Sequence, residues 1–164
     1  KIITCNTNGI RAAARKGFFQ WLQTEQADVV CIQETKAQVH QLEDPVFTPE
    51  GYHCYYNDAV KKGYSGVGLY LRHGTERVVN GFNCEEFDAE GRIIRADFKG
   101  LSVVSAYLPS GSSGDKGAIT TSLPSSDQLA APKGTSLPST RSMSANVVST
   151  TWDWVNDTAN VDRW

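Results

Sequence analysis

Glu34 is the most telling side chain in the sequence. It follows Asp28-Val29-Val30-Cys31-Ile32, a continuous apolar run of the kind shown by a strand buried on both faces. Its backbone should therefore leave the core at a fixed place. A carboxylate held there suits a hard cation such as Mg2+, which takes oxygen ligands and keeps several waters. It equally suits a solvated glutamate paired with Lys36, two residues on. Asn6 and Asn8 follow a second apolar run, Lys1 to Cys5, and Asn-Thr-Asn-Gly is also ordinary turn chemistry. Tyr107 stands at the end of a third run that starts at Leu101. A phenol there either finds an internal partner or works in a site. An amide, a carboxylate, an ammonium and a phenol at three strand ends suggest one polar pocket, because layered α/β proteins place their sites in the loops beyond strand ends.

Other candidates have two readings each. Gly63-Tyr64-Ser65-Gly66 is a flexible turn, or, with Lys61 and Lys62 beside it, a phosphate-contacting loop that carries an aromatic wedge. Arg11, Arg15 and Lys16 form the solvated face of a helix by default. His40, His53 and His73 have no mutual spacing that suggests a ligand set.

The elements that must position these residues follow from periodicity. Strands are expected over 1–5, 28–32, 51–56, 66–71, 75–79, 92–98 and 101–108, with Lys99-Gly100 as the hairpin turn of the last two. One helical segment, broken near Gly17, lies between the first two strands. It puts Phe18, Trp21 and Leu22 on one side and Gln20, Gln23 and Glu25 toward solvent. Strands outnumber helices, so the expected class is α/β with a largely antiparallel or mixed sheet. After Gly111 the sequence turns rich in Ser, Thr, Pro and Gly, and Pro124, Pro132 and Pro138 would interrupt any helix. Trp152 to Trp164 regains aromatic and acidic residues.

The 164 residues fit one domain, and 40% hydrophobic content is enough for a core. The formal charge of -2 gives no support for nucleic-acid binding, though a local basic patch can supply phosphate contacts. Cys5, Cys31, Cys54 and Cys84 form no close pair and no zinc spacing. They read as reduced thiols of a cytoplasmic protein rather than a secreted disulfide framework. No signal-peptide pattern and no membrane-spanning apolar run is present in the sequence.

Taken together, five stretches resemble the exonuclease III family of abasic-site endonucleases, within the endonuclease/exonuclease/phosphatase superfamily. They are Ile3-Thr4-Cys5-Asn6-Thr7-Asn8-Gly9-Ile10-Arg11-Ala12, Asp28 to Lys36 with its Gln33-Glu34, Gly63 to Tyr70, Glu90-Gly91-Arg92-Ile93-Ile94-Arg95-Ala96-Asp97-Phe98, and Ala106-Tyr107-Leu108-Pro109-Ser110-Gly111. The resemblance implies a four-layer α/β sandwich, two packed mixed β-sheets flanked by helices. It implies that Glu34 binds Mg2+ (or Mn2+), that Asn6 helps organise the metal site, and that Tyr107 lies near the scissile phosphate. It places Arg11, Lys36 and Tyr64 close to the DNA backbone. The implied reaction is hydrolysis 5′ to an abasic site in double-stranded DNA, with 3′ ends as further substrates, by a monomer associated with the bacterial nucleoid. Two readings stay open beside it. One is a non-catalytic, RNA-associated regulator of the same fold. The other is a superfamily phosphatase, which the Arg11 and Tyr64 segments disfavour.

The resemblance holds over 1–111, read as the N-terminal part of the domain, and is absent over the Ser/Thr/Pro-rich 112–151. Family members run further and supply a Gly-Asp-x-Asn segment, a later Asp and a Ser-Asp-His. This sequence has no Ser-Asp-His. Trp152-Asp153-Trp154-Val155-Asn156 is faintly similar to the first of these, with Trp in place of Gly and Asn156 displaced by one. On that similarity 152–164 is a remnant of the same domain and Asp153 its water-orienting carboxylate. A chain that stopped at Trp164 is expected to lack a general base and histidine, and to be inactive and poorly folded.

Overall fold

The structure, a computed structural model, describes residues 1–108. The segments 112–151 and 152–164, and Asp153 with them, lie outside the described residues.

Four strands form a mixed sheet in the order β1-β2-β4-β3: β1 (Ile2–Asn6), β2 (Val29–Gln33), β3 (His53–Asn57) and β4 (Val67–Leu71). β1 and β2 run parallel, from Ile2 opposite Val29 to Asn6 opposite Gln33, whereas β2/β4 and β3/β4 are antiparallel. Parallel strands need a crossover, and two helices supply it: α1 (Ile10–Arg15) and α2 (Phe18–Glu25). The break between them falls at Gly17, whose φ of +91° is open to glycine without a Cβ penalty. Three strands form an antiparallel second sheet, β5 (Arg77–Asn80), β6 (Ile93–Phe98) and β7 (Leu101–Ala106), in that order. β6 and β7 turn at Lys99-Gly100, as the dipeptide predicts.

The apolar run of β2 is buried over Val29–Ile32 because each of its faces meets a different core. Val30 and Ile32 face α1 and α2, where Ile10, Phe18, Phe19 and Leu22 pack. Val29 and Cys31 face the second sheet, with Val67, Leu69, Leu71, Ile94, Ala96 and Val103. Tyr70 is fully buried at the centre of the helix-side core, with the rings of Phe19 and Tyr56 each 5.9 Å away and nearly perpendicular. Its hydroxyl is not wasted. Tyr56 donates to the Phe47 carbonyl at 2.7 Å, so the Tyr70 hydroxyl donates to Tyr56 at 2.5 Å.

These layers match the expected architecture through three of its four levels: helices, mixed sheet, second sheet. Over the described strands the second sheet is antiparallel rather than mixed. Its outer face carries Val79, Arg95 and Val104 side by side. The four cysteines form no disulfide. Burial pushes the Cys31 thiol up to about 12, as for a small apolar residue in a core. Sequence periodicity did not show the single 3-10 turns Val39–Gln41 and Pro45–Phe47 or the four-residue α3 (Glu85–Asp88), which are too short to carry a period. No helix among the described residues is long and apolar enough to cross a membrane.

Candidate active site

The parallel pairing of β1 and β2 ends with Asn6 opposite Gln33, so Asn6 and Glu34 leave the sheet at the same edge. Three backbone hydrogen bonds then lock the two exits together, Thr7 N–H to Gln33 O, Gly9 N–H to Glu34 O and Ile10 N–H to Thr35 O, and a fourth, Thr35 N–H to Gly66 O, ties them to the loop at 63–66. Glu34 and Lys36 both hold left-handed φ, 51° and 48°. Such conformations are uncommon for residues with long side chains and persist where the surroundings over-determine them. Here the determinant is visible. Thr35 is buried against Gly66, where a Cβ would fall 2.1 Å from the Thr35 hydroxyl oxygen, so the loop at 63–66 can close on the strand end only with glycine.

The Glu34 side chain is 16% exposed. Asn6 Nδ2 donates to its Oε1 at 2.7 Å, and the Lys36 ammonium sits 2.7 Å from its Oε2. Lys36 also reaches Asn8 Oδ1 at 2.5 Å. Burial raises the Glu34 pKa, but the hydrogen bonds from Lys36 and Asn6, the Lys36 charge and a hydrogen bond from Tyr107 outweigh it. The carboxyl is held below its ordinary value. Tyr107 is pushed up to about 12 by burial first, then by the Glu34 charge and by its hydrogen bond to Glu34, with Arg92 opposing. The phenol therefore stays protonated and acts as a donor at neutral pH.

The residues singled out in the sequence separate clearly. Asn6, Glu34 and Lys36 form one hydrogen-bonded cluster, and Tyr107 lies beside it, close enough for phenol and carboxylate to shift each other's ionisation, as the three strand ends suggest. Asn6 uses both ends of its amide: its Oδ1 accepts from the Asn8 N–H at 3.0 Å, closing the turn, while its Nδ2 donates to the Glu34 carboxylate. Lys36 makes the ion pair expected of a plain strand-end glutamate. Arg11 is exposed in the first turn of α1, and no side-chain contact among the described residues joins it to the cluster. Tyr64 is half-buried, with Lys61 Nζ 5.0 Å from its ring centre and Arg92 beneath.

Three further residues shape the site and carry no role in the sequence reading. Gln33 Nε2 donates to Thr4 Oγ1 at 3.1 Å and to Ser105 Oγ at 3.2 Å, tying β1, β2 and β7 together one residue before Glu34. Ser105, buried, donates to the Ile32 carbonyl at 3.1 Å. Arg92 donates to the Tyr64 hydroxyl at 2.7 Å and holds Glu90. Gln33 and Arg92 lie inside stretches already singled out. The only signal for them is polarity at positions flanked by strand residues.

A divalent cation fits this donor set in a particular way. No group of three or more His, Cys, Asp or Glu side chains gathers among the described residues. Mg2+ is commonly held by one or two carboxylates, with waters and substrate phosphate completing the shell. Glu34 supplies one ionised, partly covered carboxylate, and the Asn6 N–H orients it.

The chain belongs to the Endonuclease/Exonuclease/phosphatase family, whose profile matches residues 3–163. Within it, the similarity is to the exonuclease III type. The exodeoxyribonuclease of Bacillus subtilis (strain 168) is 44% identical over 110 residues, 66% of this chain and 42% of the relative. The DNA repair nuclease APEX1 of Danio rerio is 38% identical over 116 residues, 70% of this chain and 37% of the relative. Among solved structures, an AP endonuclease from Archaeoglobus fulgidus superposes with a TM-score of 0.57 at 33% identity, covering 65% of this chain and 40% of that one. The matched part thus spans about two-fifths of the length of these relatives.

Proposed function

We propose that this chain is part of a Mg2+-dependent DNA-repair phosphodiesterase that hydrolyses the backbone 5′ to abasic sites, leaves a 3′-hydroxyl and also trims 3′ ends. The observation that carries the reading is the convergence of Asn6, Lys36 and Tyr107 on the Glu34 carboxylate. The named relatives are exodeoxyribonucleases and DNA-repair nucleases, which supports DNA as the substrate.

The residues divide the work as follows. A phosphodiester is anionic and resists attack by water, and a bound Mg2+ would neutralise charge on its oxygens and on the leaving 3′ oxygen. Glu34, kept ionised, is the protein's seat for that ion, and Asn6 fixes the carboxylate's direction. Tyr107 offers a neutral hydroxyl donor to a phosphate oxygen, and the Lys36 ammonium adds positive charge. Arg11 and Tyr64 are assigned to the flanking DNA backbone, and Asp153 to orienting the water. A missing base lowers the cost of rotating the nucleotide out of the stack, which favours abasic sites.

The test is incubation of the full polypeptide with duplex DNA that holds one abasic-site analogue, with Mg2+ and then with EDTA. Nicking that needs the metal and falls by about 10²-fold or more in Glu34→Gln is the expected result. RNA binding without nicking, or release of phosphate from a small phosphorylated molecule with intact duplex, would contradict the proposal.

A further inference from the structure

Arg92 has no part in the chemistry assigned to Glu34, Asn6 and Tyr107, yet it touches two of the site's aromatic residues. Its guanidinium lies between two rings, with Cζ 5.6 Å from the Tyr64 ring centre and 5.4 Å from that of Tyr107. One edge of the fork is taken: Nε and Nη2 grip Glu90 Oε2 at 2.9 and 2.5 Å, and Nη2 also donates to the Tyr64 hydroxyl at 2.7 Å. Its backbone carbonyl accepts from the Tyr107 N–H at 2.9 Å, so side chain and main chain of one residue both bear on Tyr107. The side chain is 11% exposed, and Nη1 is buried with no hydrogen bond among the described residues.

We infer that Arg92 is a positioning residue that couples the Tyr64 loop to the Tyr107–Glu34 pair, setting both rings with a single planar cation. The inference rests on the nuclease reading of the same site. Two features favour it over plain packing. A buried guanidinium with an idle donor is a costly filler, since an apolar side chain of similar volume would bury no unsatisfied group. The planar fork, however, can lie within cation–π distance of two rings while separate N–H groups bond a hydroxyl and a carboxylate; methionine has no such donors and lysine has a single nitrogen. The backbone is shaped for this placement. Gly91, at φ +58°, lies against the Asp58–Ala59 main chain, where a Cβ would fall 2.4 Å from the Asp58 carbonyl carbon. The Val60 N–H donates to the Ala89 carbonyl at 2.9 Å. The segment before Arg92 is thus clamped to the loop that leads into Tyr64, so a shift of that loop on DNA would reach Tyr107 through Arg92.

The experiment uses the full polypeptide carrying Cζ-labelled tyrosine, with the Tyr64 and Tyr107 signals assigned from Tyr64→Phe and Tyr107→Phe. Arg92→Met, Arg92→Lys and Glu90→Gln are compared with the parent by tyrosine NMR, by melting temperature and by single-turnover nicking of abasic duplex. Coupling predicts that Arg92→Met moves both tyrosine signals. It predicts nicking slower by about ten- to a hundredfold, the scale of a small misplacement of a reacting group. The Arg92→Met/Tyr107→Phe double variant should be little slower than Tyr107→Phe alone, and Arg92→Lys should not restore the parent spectrum. Should Arg92→Met fail to fold, Glu90→Gln, which loosens the guanidinium from its outer side, must move the same two signals. A Tyr107 signal unmoved in every folded variant, or rate effects that multiply in full, overturns the inference. A parent protein that does not nick would sink the nuclease reading, while the paired signal shifts still decide the coupling.

Discussion

Asn6 Nδ2 donates to Glu34 Oε1 across 2.7 Å, while Oδ1 of the same amide accepts from the Asn8 N–H at 3.0 Å. Turn and carboxylate are therefore fixed by one side chain. Asn6→Ala removes both bonds and is expected to lower stability by about 1–2 kcal/mol. It should also weaken Mg2+ binding, because Glu34 loses its orienting donor. Asn6→Asp should weaken folding further, since it sets a second carboxylate against the first. Urea unfolding and calorimetric Mg2+ titration measure the two effects.

The Glu34 carboxyl ionises more readily in the folded chain than in the unfolded one. Its stabilising contribution is therefore present above the ordinary glutamate pKa of about 4.3 and is lost as pH falls through the lowered folded value. The urea midpoint difference between the parent and Glu34→Gln should hold steady from neutral pH down to about 5 and shrink below about 4. Lys36→Met should move that loss to higher pH. A difference that stays constant down to about pH 2 would contradict the ion pair.

Tyr107 provides a spectroscopic check on the same pair. Its phenol is pushed up to about 12. In an ultraviolet titration Tyr52, Tyr56, Tyr70 and Tyr107 should all ionise above the ordinary value of about 10, and the transition lost in Tyr107→Phe should be one of these late ones. Glu34→Gln should bring that transition down, because the neighbouring negative charge is gone.

Two glycines with left-handed φ should differ sharply in tolerance. Gly100, at φ +78° in the β6–β7 turn, has nothing within 4 Å of where a Cβ would stand, so Gly100→Ala should cost only the conformational penalty of about 1 kcal/mol. Gly91→Ala adds a collision with main-chain atoms that cannot rotate away, and should cost about 3 kcal/mol or more. Thermal and chemical unfolding of the two variants would show the difference directly.

Ser105 and Gln33 brace the strand end from beneath. Ser105→Ala leaves the buried Ile32 carbonyl without its hydroxyl donor and removes one of the two acceptors of Gln33 Nε2. Ile32 stays in the ladders of β2 and Gln33 keeps Thr4, so the expected loss is about 0.5–1.5 kcal/mol in urea unfolding, the net range for a hydrogen bond.

Much of this arrangement could be read from residue order. Continuous apolar runs marked β2 and β4, Lys99-Gly100 marked the hairpin, and Gly17 marked the break between helices. Glu34 stood out because it is the first charged residue after the apolar run Val29–Ile32, and Asn6 because it ends the neighbouring run. The turns at 39–41 and 45–47 escaped because one turn of 3-10 helix has no repeating pattern to detect. Arg92 escaped for a different reason. Glu90 is two residues away and Tyr107 sits across the β6–β7 hairpin, but Tyr64 belongs to the loop before β4, and only the packing of the second sheet against the first brings it to the guanidinium. Nothing in a single sequence distinguishes a guanidinium between two rings from an exposed one at a strand start.

The proposed nuclease chemistry requires that the Glu34 carboxylate, directed by Asn6, seat the divalent ion. Titration with paramagnetic Mn2+ tests this most directly by NMR of the side-chain amides. Broadening should centre on the Asn6 amide signal, be reversed by excess Mg2+ and vanish in Glu34→Gln. Broadening that centres elsewhere, or that survives Glu34→Gln undiminished, would contradict it.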